Sequence, residues 1–169
     1  RCPMRCLVTL LAICLLSLSA CTLDSEAELR KQLMNWVKLG DTFYFSSSST
    51  CTAAIFHIET ARISSTLESV RSVETGMQMV TEQLPVLFKV KGKSPNAIVE
   101  EIMSKDLPNG LGVLNSGLAG VSCMSDEEKT LYYRAITNRN SQMAYLPTEN
   151  AMLVVDPQAM AAFFVRGNA

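Results

Sequence analysis

An apolar run near the start of the chain decides which residues are left to build a domain. It extends from Leu7 to Leu18 and follows two arginines, Arg1 and Arg5. A helix needs about 20 apolar residues to cross the hydrocarbon core of a bilayer, and this run offers 12 before Ser19. A short apolar run behind positive charges is typical of a signal peptide. The folded domain is therefore expected to begin at about residue 21.

The run ends in Leu18-Ser19-Ala20-Cys21, which matches all four positions of a lipobox. The segment resembles that of bacterial lipoprotein precursors, with small residues before an obligatory cysteine. The resemblance implies a signal peptide over residues 1–20, cleavage after Ala20, and diacylglyceryl transfer to the Cys21 thiol. Acyl chains contribute about 0.8 kcal/mol per buried CH₂, so two or three chains would anchor the protein permanently. An ordinary secretory signal cleaved nearby and an uncleaved anchor are the alternatives.

The same resemblance implies an address in the bacterial cell envelope, lipid-anchored and facing the periplasm. Thr22 stands where an aspartate would resemble an inner-membrane signal, so the outer membrane is favoured over the inner membrane. Few residues separate Cys21 from the first predicted helix, which holds the domain close to the membrane surface.

Removing the signal peptide changes the meaning of the cysteines. Cys2, Cys6 and Cys14 leave with it and Cys21 carries lipid, so Cys51 and Cys123 remain. In an oxidising compartment this pair is expected to form a disulfide. It would close a loop of about 72 residues and stabilise the fold by about 4 kcal/mol. Two separate thiols, one of them a nucleophile, are the alternative.

Composition narrows the class of protein. The chain has 169 residues, which suits one compact domain over residues 21–169. Hydrophobic residues make up 48% of it, too many for a mainly disordered chain. The formal net charge is −1 and there is no basic run, so the footprint of a nucleic-acid-binding protein is missing.

Hydrophobic periodicity and capping residues predict an α+β fold. We expect a small, largely antiparallel sheet of four or five strands, with helices packed on one face. The predicted helices cover residues 24–39, 73–83, 94–104, 106–121 and 125–138, and the predicted strands 42–45, 52–58, 86–91, 151–155 and 160–166. The periodicity leaves residues 60–72 open between helix and strand or loop. It also leaves 157–166 open between strand and helix.

Glycines crowd the segment between Asp106 and Val121. Asn115 stands where the third glycine of a dinucleotide-binding fingerprint would be, and no Lys-Ser/Thr follows as in a P-loop. We interpret the segment as a helix that packs closely through its glycines. A phosphate cradle is the alternative.

A catalytic set is not evident. His57 is the only histidine, which rules out multi-histidine metal sites, and no cofactor motif is present. His57 and Glu59 would share one face of a strand and could orient a base toward Cys123 or a serine. We interpret His57 instead as a half-exposed strand residue.

The sequence therefore predicts a non-catalytic protein with an interaction or structural role at the membrane surface. Its partners would be the membrane, through Cys21, and an envelope protein. A module for a small ligand or lipid is the second hypothesis, because nine methionines and the glycine-rich segment could line an adaptable apolar pocket. An enzyme that uses Cys51 or Cys123 with His57 is the third.

Overall fold

A computed structural model describes residues 23–167 of the chain. The predicted signal peptide, residues 1–20, and Cys21, the predicted site of lipid attachment, lie outside the described residues.

Five helices and seven strands make up this part of the chain. The helices are α1 (Glu26–Leu33), α2 (Val73–Thr81), α3 (Pro95–Lys105), α4 (Leu107–Val121) and α5 (Asp126–Thr137). The strands are β1 (Leu39–Ser47), β2 (Cys51–Ile58), β3 (Ser69–Val70), β4 (Val86–Phe88), β5 (Gln142–Leu146), β6 (Ala151–Asp156) and β7 (Ala161–Gly167). A 3₁₀ turn, Pro147–Glu149, joins β5 to β6.

All seven strands form one sheet in the order β1-β2-β7-β6-β5-β4-β3. Every neighbouring pair is antiparallel except β3 and β4, which are parallel. The register places Cys51 opposite Gly167 and Ala151 opposite Arg166 at one end of the sheet. We call this the Cys51 end. At the other end, which we call the Gln142 end, Gln142 lies opposite Val155.

The sheet is buried on both faces, which explains the continuous apolar runs in β2, β6 and β7. Helices α2 to α5 cover one face, where Ile55, Val154 and Phe163 belong to the core. Helix α1 and the chain up to Leu67 cover the other face, where Phe56 and Phe164 lie. An α+β fold with a mostly antiparallel sheet is confirmed. The first helix lies on the face opposite the others because Leu29 and Leu33 fill the second core.

Several boundaries differ from the predictions. Helix α1 ends at Leu33, six residues before the predicted end at 39, because Leu39 already pairs with Ile58 in β1. Residues 60–72 are mainly loop and turn, with β3 as their one regular element. Residues 161–167 form a strand after a turn, so the segment that the sequence left open between strand and helix is a strand. Strand β5 was not predicted.

The disulfide between Cys51 and Cys123 is confirmed, with Cα atoms 5.9 Å apart. It joins the start of β2 to the residues just after α4. The Tyr44 hydroxyl donates a hydrogen bond of 2.5 Å to the Cys123 carbonyl, which adds a second link between the β1–β2 hairpin and this point. The C-terminal end of α4 is thereby fixed at the Cys51 end of the sheet.

Candidate ligand-binding site

An apolar groove runs through the helical layer that covers the first face of the sheet. Its volume is about 230 Å³. Helices α3, α4 and α5 form its walls, and a methionine of β6 closes its base. The lining residues are Pro95, Asn96, Val99, Leu114, Gly117, Leu118, Val121, Tyr132, Tyr133, Ile136, Thr137 and Met152. We call this the helix groove.

The glycines of α4 explain why this helix lies so close to the sheet and to α3. A Cβ atom on Gly120 would lie 2.4 Å from Cβ of Val165, and one on Gly110 would lie 2.7 Å from the Met103 Cα. Such distances are far below the 3.5–4.0 Å typical of carbon contacts. The segment is a helix that packs through its glycines, as predicted, and not a phosphate cradle.

Gly117 has a different role, because its missing side chain leaves space in the groove. A Cβ there would lie 2.8 Å from the Met152 methyl carbon and 3.0 Å from the Tyr132 hydroxyl. Both atoms are the far ends of side chains that line the groove. The position of Gly117 therefore sets how wide the groove is between α4 and its base.

Tyr132 supplies a polar group within this apolar surface. The residue is 2% exposed, and its ring packs against Phe163 of β7 with ring centroids 6.1 Å apart. In the part of the chain that the structure describes, the Tyr132 hydroxyl has no hydrogen-bond partner. Burial raises the pKa of this phenol well above its ordinary value of 10.0, and Tyr133 adds to the rise. The hydroxyl is thus protonated at neutral pH and can both donate and accept a hydrogen bond.

A capping box fixes the helix that carries Tyr132. The Glu128 carboxylate accepts a hydrogen bond of 3.1 Å from the Ser125 backbone N–H, at the start of α5. Tyr132 and Ala135 then fall on the buried side of the helix. Tyr133 is next to them and is half exposed, so it lies at the rim of the groove.

The base of the groove lies toward the Cys51 end of the sheet, and the groove extends along the helices toward Pro95 and Thr137. Met152 is the second residue of β6, one position from the Ala151–Arg166 pair. The Asp24 carboxylate is held at the same end, where it accepts a hydrogen bond of 2.5 Å from the Thr52 hydroxyl and pairs with Arg166. The start of the described chain and the base of the groove therefore lie at the same end of the molecule.

The residues considered for catalysis are not brought together. His57 is exposed near the far end of β2, six residues from Cys51, which corresponds to about 20 Å along a strand. Both cysteine sulfurs are joined in the disulfide. Among residues 23–167, no group of three or more His, Cys, Asp and Glu side chains is placed to hold a metal ion.

Sequence reasoning did not identify Tyr132, Thr137 or Met152 as neighbours of one groove. The only signal was the run of glycines, which predicted close packing without showing which glycine faces open space. Within the described residues, no helix is both long and apolar enough to span a membrane. No protein-family model matches the chain, and no curated protein or solved structure is significantly similar to it.

Proposed function

We propose that this domain is the binding module of a lipid-anchored envelope protein, and that the helix groove takes a small apolar ligand. The observation that carries the proposal is the Tyr132 hydroxyl, which forms no hydrogen bond with another described group and lies in a mainly apolar groove. Ligand sites commonly combine an apolar lining with a few polar groups that orient the ligand. In the helix groove, Tyr132 supplies the polar group, and Gly117 and Met152 belong to the apolar lining.

The volume limits the ligand. Sites for drug-sized molecules measure about 300–1,000 Å³, and the helix groove is smaller at about 230 Å³. A single aromatic ring or a short alkyl chain with one hydrogen-bonding group fits this space. The flexible Met152 side chain can adjust to ligands of somewhat different shape.

The anchoring part of the proposal rests on the four lipobox positions and on the Cys51–Cys123 disulfide, which suits an oxidising compartment. Cys21 precedes Asp24 by three residues, a span of at most about 10 Å of extended chain. Because Asp24 is held at the Cys51 end of the sheet, a lipid on Cys21 places that end and the groove near the bilayer. A ligand that partitions into the membrane would reach the groove easily.

A role as an interaction protein has one observation in its favour. Leu107, Leu111 and Leu118 follow one another along the outer side of α4 and are 42–54% exposed. Exposed apolar patches of this kind mark partner surfaces. A partner on α4 would cover Leu118 at the edge of the groove, so occupation of the groove and binding of the partner would influence each other.

The experiment compares p-cresol with toluene, which differ by one hydroxyl group, in isothermal titration calorimetry on the full chain. We expect p-cresol to bind more tightly than toluene because only p-cresol can pair with Tyr132. Tyr132→Phe should weaken p-cresol by about three- to tenfold, the usual range for one hydrogen bond, and leave toluene unchanged.

A pair of glycine variants controls for effects on the fold. Gly117→Ala places a methyl group inside the groove and should weaken both ligands at least fivefold. Gly112→Ala lies on the same helix but outside the groove, where its Cβ would meet only the Tyr145 hydroxyl at 3.4 Å. Binding that is equal in the two variants, or absent in the wild-type protein, would contradict the proposal.

A further inference from the structure

A second concave site lies at the Gln142 end of the sheet. It has a volume of about 520 Å³. Its lining comes from three separate stretches of chain: the loop after β2, the turn after β4, and the connection between α5 and β5. The lining residues are Arg62, Ile63, Phe88, Lys89, Val90, Lys91, Gly92, Lys93, Arg139, Asn140, Ser141 and Gln142. We call this the basic cleft.

Positive charge is concentrated in the cleft. Of the 15 lysines and arginines, Arg1 and Arg5 lie in the predicted signal peptide, and five of the remaining 13 line this one cleft. Lys93 is paired with Glu101. In the described part of the chain, Arg62, Lys89, Lys91 and Arg139 form no ion pair. A protein with more acidic than basic residues thus brings four cations together without a carboxylate to neutralise them.

Two carboxylates in this part of the molecule already have partners. The Glu101 carboxylate pairs with both Lys93 and Lys105. The Asp156 carboxylate, near the Gln142 end, is buried and accepts hydrogen bonds of 3.0 Å from Asn138 and 2.9 Å from the Gln158 backbone N–H. Neither group can offset the charge of Lys91 and Arg139.

Two buried polar atoms belong to residues of the cleft wall. The Ser141 Oγ and the Gln142 Oε1 are both buried, and neither has a hydrogen-bond partner. Ser141 as a whole is 6% exposed. Leaving a buried polar group unpaired costs about 1–3 kcal/mol, and of the two only the Ser141 hydroxyl can donate a hydrogen bond to an anion, because an amide oxygen only accepts.

The local backbone also favours an anion. Gly92 has φ +76° in the Lys91-Gly92-Lys93 turn, and a Cβ there would have no neighbour within 4 Å, so this side of the cleft is open. Lys93 directly precedes Ser94, the N-cap of α3, and the positive end of the helix dipole adds to the local potential. These features act in the same direction as the four unpaired cations.

From this arrangement we infer that the basic cleft binds a compact ligand with several negative charges of the phosphate type. The inference is independent of the ligand proposed for the helix groove. A free polyphosphate-like anion and the headgroup of an acidic phospholipid share this chemistry. The cleft lies at Gln142, about 14 Å along the sheet from the Ala151–Arg166 pair near which the chain enters the domain. Because a membrane anchor at Cys21 would lie at that other end, a free anion is expected to bind better.

The test uses the full chain in a neutral detergent and calorimetric titration with three probes: inorganic phosphate, tripolyphosphate and dihexanoylphosphatidylglycerol. Tripolyphosphate should bind most tightly, and its affinity should fall at least tenfold between 50 and about 300 mM salt. Tighter binding of the phospholipid would identify a headgroup as the source of the same chemistry.

Two variants with equal changes in net charge make the test specific. Lys91→Gln with Arg139→Gln removes one cation from each of two walls and should weaken tripolyphosphate at least tenfold. Lys31→Gln with Lys129→Gln removes two cations from other surfaces and should change the affinity less than twofold. All four side chains are at the surface, so the fold is expected to be kept. The inference is overturned if no probe binds the wild-type protein, or if both double variants bind equally.

Discussion

The contact between α4 and the sheet leads to a prediction of opposite effects for two substitutions on one helix. Gly112→Ala and Gly120→Ala make the same chemical change, and alanine is favoured over glycine in a helix interior by about 1 kcal/mol. At Gly112 the new methyl group would lie 3.4 Å from the Tyr145 hydroxyl, an ordinary contact. The free energy of unfolding should therefore rise by about 0.5–1 kcal/mol.

At Gly120 the steric cost outweighs this gain. The new Cβ would lie 2.4 Å from the Val165 Cβ and 3.0 Å from its Cα, so α4 or β7 must move by about 1 Å to restore a normal carbon contact. Neither can move easily. Strand β7 is held between β2 and β6, and the disulfide at Cys123 fixes the chain three residues after Gly120. Overpacking of this kind costs about 1–3 kcal/mol.

The measurable quantity is the difference between the two variants. Because the gain in helix propensity is common to both variants, we expect Gly120→Ala to be less stable than Gly112→Ala by the steric cost, about 1–3 kcal/mol. Urea unfolding followed by circular dichroism, without reductant, gives both free energies from the transition midpoints, provided that the slopes agree. Equal stabilisation by the two alanines would mean that Gly120 does not face Val165.

Three further predictions concern the disulfide, the basic cleft and the helix groove. Replacing Cys51 and Cys123 together by alanine should lower the free energy of unfolding by about 4 kcal/mol, the chain entropy of a loop of this length; urea midpoints within about 0.5 M of the wild type would contradict this. Ser141→Ala should raise that free energy by about 1 kcal/mol because it removes a buried hydroxyl without a partner, and a loss in thermal unfolding would show that the hydroxyl is satisfied. Because the folded-state pKa of Tyr132 is raised, its stabilising contribution is complete below about pH 10 and declines above it by up to about 1.4 kcal/mol per pH unit. Tyr132→Phe should flatten this alkaline decline, and an unchanged slope would show that the phenol is not desolvated.

The parts of the fold that were predicted depend on local signals. Ser125 and Glu128 have the spacing of a capping box, which predicts the start of α5. The helical spacing of apolar residues predicts the helices of the first core. Counting the cysteines that remain outside the predicted signal peptide and the predicted lipid-attachment site was enough to pair Cys51 with Cys123. Capping and periodicity depend only on residues that are close together in the sequence. Pairing the cysteines needed no structure, because two cysteines allow one pairing.

The parts that were missed depend on contacts between distant segments. Strand β5 reads Gln-Met-Ala-Tyr-Leu, which contains no β-branched residue, and it is a strand because β4 and β6 lie on either side of it. Three cations of the basic cleft, Lys89, Lys91 and Lys93, fall in one short stretch of sequence, but Arg62 and Arg139 join them only through the fold. The helix groove depends in the same way on the packing of three helices.

Intermolecular nuclear Overhauser effects are the most direct test of the claim that the helix groove binds a small apolar ligand. The full chain would carry ¹³C-labelled methionine methyl groups, with the Met152 signal assigned through Met152→Leu, and p-cresol would be the ligand. If p-cresol binds in the helix groove, we expect contacts from its ring to the Met152 methyl group. We expect none to the methyl group of Met79, which lies outside the groove. Contacts to Met79 alone, or none to any methionine at saturating p-cresol, would contradict binding in the groove.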